Sequence, residues 1–241
     1  MKIGKRIVKS INEITSLIFV CLFAVIILYG IYCVWDSWYV DNQADSDRYR
    51  TYRPTEDDNL PLESLKNLNA DVIGWLTIDG TNIDYPIVQG EDNFKYLNTD
   101  ATGEFALSGG IFLDYKNHSD FSDLNNIIYG HHMRSGKMFG DLEKFREQTY
   151  FDTHESGKIY YEDQWHEIEF IAFLIVYADD SVLYDTGISD EKRTEYLSYI
   201  QEKAKYIRKD ELDGNENYVL LSTCISDGTS RRYVLAGKII K

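Results

Sequence analysis

Cys224 is the residue whose type and setting point most directly to chemistry. The chain has three cysteines, and two of them, Cys21 and Cys33, lie in an apolar run near the N-terminus. Cys224 is left without a disulfide partner in everything that follows, and such a thiol invites a reactive role. It closes the stretch NYVLLSTC, residues 217–224, which reads as a β-strand. Alternation along a strand puts Tyr218, Leu220, Ser222 and Cys224 on one face and Val219, Leu221 and Thr223 on the other. A polar turn containing Asp-Gly, Ile225 to Ser230, leads to Arg231 and Arg232, which open a second strand running to the C-terminus. If the two strands pair, the thiol and one guanidinium emerge side by side at the mouth of the hairpin. A fixed cation beside a thiol favours the thiolate. The plainer alternative is a small buried cysteine packed as a hydrophobe, with two solvated arginines.

A thiol needs a proton carrier to perform acyl transfer, and the chain offers His118, His131, His132, His154 and His166. His131 and His132 follow the apolar run Asn126–Tyr129 through Gly130, so they lie at a strand end, as Cys224 does. Strand ends on one rim of a sheet are where groups distant in sequence converge. A cysteine with a histidine is the minimal acyl-transfer pair, the thiolate attacking a carbonyl and the imidazolium protonating the leaving amine. An arginine nearby supplies donors for the oxyanion. The residues themselves leave His131 or His132, and Arg231 or Arg232, open. Adjacent histidines are poorly spaced as metal ligands, and with Cys224 they make only three, so no metal and no cofactor is expected. His118, His154 and His166 read as surface residues.

The elements that must position these groups are short strands with helices between them. Leu62–Leu68 reads as a short helix. Ile73–Ile78, Ile83–Val88, Ile111–Tyr115 and Asn126–Tyr129 read as strands, and Pro86 marks the second as an edge or a bend. Met138–Gln148 reads as a helix with Met138, Leu142 and Phe145 on one face. Lys158–Tyr161 and His166–Tyr177 form a hairpin around Glu162-Asp163. Ser189–Ile207 is the clearest helical pattern, capped by Ser189, with Leu197, Ile200, Ala204 and Ile207 as its apolar stripe. Many short strands with two or three inserted helices predict a mostly β fold, a closed or nearly closed barrel.

The N-terminus predicts a compartment. Leu17–Trp35 is 19 uncharged, mostly apolar residues; as a helix it spans roughly 29 Å, close to the thickness of a bilayer's hydrocarbon core. Lys2, Lys5, Arg6 and Lys9 precede it, and Asp36, Asp41, Asp45 and Asp47 follow. The positive-inside bias places the N-terminus in the cytoplasm and the remainder outside, with Trp35, Trp38 and Tyr39 at the outer interface. No small-residue cleavage site is evident, so residues 1–35 read as a cytoplasmic tail and uncleaved single-pass anchor. Residues 36–59 are a polar stalk, helical or flexible, and residues 60–241 form the catalytic domain. The net charge of −15 excludes nucleic acid as a partner, since neutralising phosphates needs a basic surface.

Taken together, NNIIYGHHM at 125–133, MFGDLEKF at 138–145, LLSTC at 220–224 and RRYVLAGKII at 231–240 resemble the class B sortases, membrane-anchored transpeptidases of Gram-positive bacteria. The resemblance covers roughly residues 60–241 and extends to the N-terminal anchor. It implies a sortase-type barrel of about eight strands, with the segment carrying Ser189–Ile207 as the helical insertion of class B. It selects His131, which directly follows Gly130, and Arg232, which leads directly into the last strand. It further implies that Cys224 cleaves a sorting motif of the Asn-Pro-x-Thr-Asn/Gly/Ser kind after its Thr, in a secreted protein bearing that signal. The resulting thioester passes to an amine of a cell-wall peptide cross-bridge or, as the alternative, to a pilin lysine. A non-catalytic membrane-tethered peptide-binding module is the other reading. Ser222, Asn93 and Leu97 match positions that line the substrate groove.

Overall fold

The computed structural model describes residues 2–208, 216–225 and 229–240, and it divides into two compact units, 1–42 and 43–241. The first unit is helix α1, Lys2–Gln43, 42 residues long, or about 63 Å. The apolar side chains of 17–35 point outward from it almost without exception, and it is the one helix among the described residues long and apolar enough to cross a membrane.

The second unit begins earlier than Leu60. A 3₁₀ turn, Ser46–Tyr52, follows α1, and Asp45 caps it by accepting from the Asp47 N–H at 3.0 Å. Ala44 and Tyr49 are buried in the core, and the Tyr85 hydroxyl donates to the Ala44 carbonyl at 2.7 Å. The stretch read as a stalk is therefore divided, helical to Gln43 and packed beyond it. Two buried residues in a polar stretch carry no periodic signal, which is why its packing is not apparent from composition.

Helix α2 (Leu60–Leu68) leads into nine strands: β1 (Val72–Thr77), β2 (Asp84–Val88), β3 (Ile111–Leu113), β4 (Asn125–Tyr129), β5 (Ser156–Tyr161), β6 (Gln164–Tyr177), β7 (Ala204–Ile207), β8 (Asn217–Cys224) and β9 (Arg231–Ile240). Their order is β5-β1-β2-β3-β4-β8-β9-β6-β7, and β5 also pairs with β6. Eight strands therefore close into a mixed barrel, with β7 added on the far part of β6. Two pairings are parallel, β2 with β3 and β4 with β8; the others are antiparallel. Pro86 is tolerated because β3 pairs only with Ile87 and Val88, leaving that side of β2 without a ladder partner at Pro86. The turn expected over Ile225–Ser230 lies partly outside the described residues.

Two predicted helices are broken. Within 138–148 the chain makes a 3₁₀ turn, Gly140–Arg146, then an extended Glu147, then α3 (Gln148–Thr153). A Cβ at Gly140 would sit 2.1 Å from the Met133 carbonyl oxygen, so the chain reverses tightly there. Met138, Leu142 and Phe145 are nevertheless all buried in the core. Within 189–207 a 3₁₀ turn (Asp190–Lys192) precedes α4 (Arg193–Lys203), and Ala204–Ile207 leaves the helix to form β7. The edge of β6 offers ladder hydrogen bonds that outweigh the local helical pattern, pairing Ala204 with Leu174 and Ile207 with Ala172. Ser189 occupies the cap position, but its hydroxyl makes no capping bond.

The core lies in two clusters. Val219 and Leu221 of β8 join Ile128, Phe173 and Leu235 in the larger one. Tyr218 and Leu220 join Ile127, Leu174, Val234 and the α4 residues Tyr196, Leu197 and Ile200 in the other. β8 is thus buried on both faces, as a strand in a parallel pair usually is.

Candidate active site

Strand register brings the groups together. Pairing of β4 with the parallel β8 sets Tyr129 beside Ser222. Both chains therefore leave the barrel at the same rim, His131 two positions past Tyr129 and Cys224 two positions past Ser222. Antiparallel β9 then sets Arg232 opposite Cys224, while Arg231 is opposite Tyr177 of β6. The Arg232 guanidinium donates from Nη1 to the Cys224 Sγ, and Cys224 is exposed. The six expected site residues, Asn93, Leu97, His131, Ser222, Cys224 and Arg232, line one cavity of about 490 Å³.

Gly130 allows the turn into His131. A Cβ there would lie 2.5 Å from Ile111 Cδ1 and 2.8 Å from Phe139 Cγ, so any side chain would displace the loop. The His131 Nε2 lies 2.8 Å from the Leu97 carbonyl oxygen. A carbonyl can only accept, so Nε2 carries a proton, and Nδ1 is the nitrogen left to exchange one in the neutral ring. His132 points away from the cavity lining, its Nε2 3.2 Å from Glu143 Oε2. His118 pairs with Asp123 and His154 stacks on Tyr150, whereas His166, expected at the surface, is buried with its ring stacked on Tyr161.

Leu97 sits in a 3₁₀ turn, Lys95–Leu97, held from both ends. The Asp92 carboxylate accepts from the Phe94 and Lys95 N–H groups, and the Gly110 N–H donates to the Tyr96 carbonyl. Asp71 accepts from Lys95 Nζ at 2.6 Å and from the Tyr96 hydroxyl at 2.8 Å. Burial pushes the Asp71 carboxyl up, but these two donors outweigh it and hold it below the usual carboxylate range.

Asn93 bonds to the protein through both ends of its amide. Its Nδ2 donates to Asp114 Oδ2 at 2.7 Å and its Oδ1 accepts from the Tyr115 N–H at 3.1 Å. The Tyr129 hydroxyl donates to the same Asp114 oxygen at 3.1 Å. Ser222 and Tyr184 share a hydrogen bond of 2.9 Å, and the Tyr184 ring stacks on Tyr129. Burial pushes the Tyr184 phenol up to about 12, against the opposing pull of Ser222 and Arg232. Burial, then the Asp114 charge, raises Tyr129 as well. Both phenols line the cavity as neutral hydrogen-bonding groups. Tyr184 and Asp114 have no sequence signal: one lies in an aperiodic acidic loop, the other just past a three-residue strand.

A closed mixed barrel presenting a thiol, an imidazole and a guanidinium at one rim is a scaffold for cysteine acyl transfer. The sequence profile of the sortase domain family matches residues 76–240, and the chain belongs to that family. Sortase B of Listeria monocytogenes is 36% identical over 189 residues, covering 74% of each chain. A cysteine-to-serine mutant of Clostridium perfringens sortase B superposes with a TM-score of 0.76 at 30% identity, covering 82% of this chain and 97% of that one. A Streptococcus pyogenes class B sortase involved in pilus biogenesis gives 0.67 at 38% identity, covering 74% and 97%. The chain is accordingly a cysteine transpeptidase of the sortase B type.

Proposed function

We propose that Cys224, His131 and Arg232 cleave a sorting motif of the Asn-Pro-x-Thr type after its Thr and pass the acyl group to an amine. The Cys224 thiol passes its proton to His131 Nδ1, the sulfur adds to the Thr carbonyl carbon, and the C–O double bond opens to an oxyanion that the Arg232 guanidinium faces. Collapse breaks the C–N bond. The leaving amine takes its proton from His131 Nδ1, and a thioester remains on Cys224. An incoming amine adds to the thioester and gives a proton back to His131. The new amide forms as the Cys224 thiolate departs.

The observation carrying this reading is the register that sets Arg232 opposite Cys224 while parallel β4 delivers His131 to the same cavity. Tyr129, Tyr184, Ser222, Asn93 and Leu97 line the cavity in which the motif lies. Residues 17–35 anchor the enzyme, with the basic N-terminus in the cytoplasm and the barrel outside. The amine is that of a cell-wall cross-bridge. A pilin lysine is the second reading, favoured by the 38% identity to the enzyme of pilus biogenesis.

The test incubates the full chain in detergent micelles with a panel of Asn-Pro-x-Thr-Asn, -Gly and -Ser peptides and either triglycine or a lysine-containing peptide. Mass spectrometry should show cleavage after Thr, an amine adduct and a thioester on the Cys224 peptide. All three should be absent in Cys224→Ala. Turnover by Cys224→Ala would overturn the mechanism, and adduct formation on the lysine side chain alone would favour the pilin reading.

A further inference from the structure

The loop that carries His131 is held by a residue outside the cavity. Residues 131–139 close on themselves: the Phe139 N–H donates to the His131 carbonyl at 2.9 Å, and His132 bridges to Met138. Phe139 also fills the space beside Gly130. The backbone of His131 is therefore as well placed as Phe139 is, and Phe139 follows Met138, whose φ is +51°. A non-glycine residue persists in that conformation only where its surroundings determine it.

What determines it is Tyr85 of β2. The buried Tyr85 hydroxyl accepts from the Met138 N–H at 3.0 Å and donates to the Ala44 carbonyl at 2.7 Å. Beside it Lys137 Nζ lies 3.0 Å from the Asp45 carboxylate, and the Tyr49 ring meets that of Tyr85 edge-on at 6.4 Å. The far side of the loop has a separate tie, Asp141 accepting from the Asn82 N–H and side-chain amide.

We propose that Tyr85 is a positioning residue for catalysis, joining the Ala44–Tyr49 segment to the loop that holds His131 in place. The hydroxyl satisfies at once one backbone donor of the catalytic loop and one backbone acceptor of the segment where α1 ends. The ion pair beside it fixes the same two strands of chain laterally. Leu97 orients the His131 ring, and Tyr85, through Met138 and Phe139, fixes its backbone. Ordering of 44–49 is then a condition for turnover, although no residue of that segment lines the cavity. This rests on the reading of His131 as the proton carrier.

The experiment uses the full chain in micelles with triglycine and whichever Asn-Pro-x-Thr peptide turns over fastest. Tyr85→Phe keeps the ring and removes both hydrogen bonds. It should lower kcat about tenfold, leave KM within about twofold, and broaden or shift the His131 ring signals in ¹⁵N NMR. A purely structural role would lower the melting temperature while leaving kcat well below melting, and the His131 signals, at wild-type values; that result overturns the proposal. Should Tyr85→Phe not fold, Lys137→Met and Asp45→Asn carry the test at partly exposed positions. Each should lower kcat, and the double variant should lower it no further than either alone, because both break one tie. Unchanged kcat or independent, additive losses would overturn the proposal. His131→Ala is the reference. Retained turnover there refutes the catalytic reading itself, whereas an inactive His131→Ala beside a fully active Tyr85→Phe refutes only the brace.

Discussion

Arg232→Lys isolates what the guanidinium contributes beyond its charge. Arg232 and Cys224 face each other in the β8–β9 ladder, and the guanidinium already donates to the sulfur at rest. Only interactions stronger in the transition state accelerate the reaction, so the bond to sulfur counts for nothing unless the donors also meet the oxyanion. A planar fork can serve sulfur and oxygen at once; an ammonium is a single compact centre and must choose. Losing one hydrogen bond to a charged group costs about 1.5–3 kcal/mol. At about 1.4 kcal/mol per decade, kcat/KM should fall roughly ten- to 150-fold. Arg232→Ala, which also removes the charge, should lose on the order of 10²–10³-fold. The assay is initial-rate transpeptidation at several peptide concentrations, with iodoacetamide labelling of Cys224 as a check that the thiol stays accessible. A lysine variant within twofold of wild type would refute the argument, because charge alone would then suffice.

Other expectations follow from the groups around the site. Tyr184→Phe leaves the buried Ser222 hydroxyl without its 2.9 Å partner. The loss of about 1 kcal/mol should lower the melting temperature by about 2–4 °C; an unchanged Tm would mean the pair contributes nothing. The Asp71 carboxyl lies below its ordinary value near 3.8 in the folded protein. Its contribution to stability is therefore complete above that value and is lost as pH falls through the lower folded one. Acid titration should release the 92–97 turn below pH 4, seen as faster amide exchange there, and Asp71→Asn should remove that pH dependence. Exchange in wild type that stays flat down to pH 2 would sink the assignment. Ile200→Ala, at the buried centre of the α4 contact, should cost about 2–5 kcal/mol in urea unfolding while sparing kcat. A loss under 1 kcal/mol would mean α4 is not packed as described.

The terminal hairpin is legible in the sequence because everything it needs is local. Alternation assigns the faces of β8, a short connection returns the chain, and Cys224 meets one of the two arginines at the open end, the choice of Arg232 coming from the class B resemblance. His131 can be placed at a strand end in the same way. That β4 lies parallel to β8, however, is a choice between distant segments that no local pattern encodes. The failures are equally physical. Ala204–Ile207 carries a helical stripe yet pairs with β6, because an unpaired sheet edge outweighs a weak local preference. Glu147 interrupts an apparent helix whose three apolar residues reach the core from two separate turns. Tyr184 enters the site from a loop held by contacts with β4, β8 and α4, all distant in sequence or aperiodic.

The position of β8 between β4 and β9 also bears on how the molecule is assembled. Until the last strands dock, β4 and β6 present two unpaired edges, and such edges invite association with other chains. Contacts between segments so far apart in sequence form late and slowly, because the intervening loop must close before they are rewarded. The thiol and its guanidinium partner lie on these same closing strands. Formation of the Cys224–Arg232 pair and closure of the barrel are therefore one event. Truncation within β9 should accordingly produce an aggregating polypeptide rather than a slow catalyst.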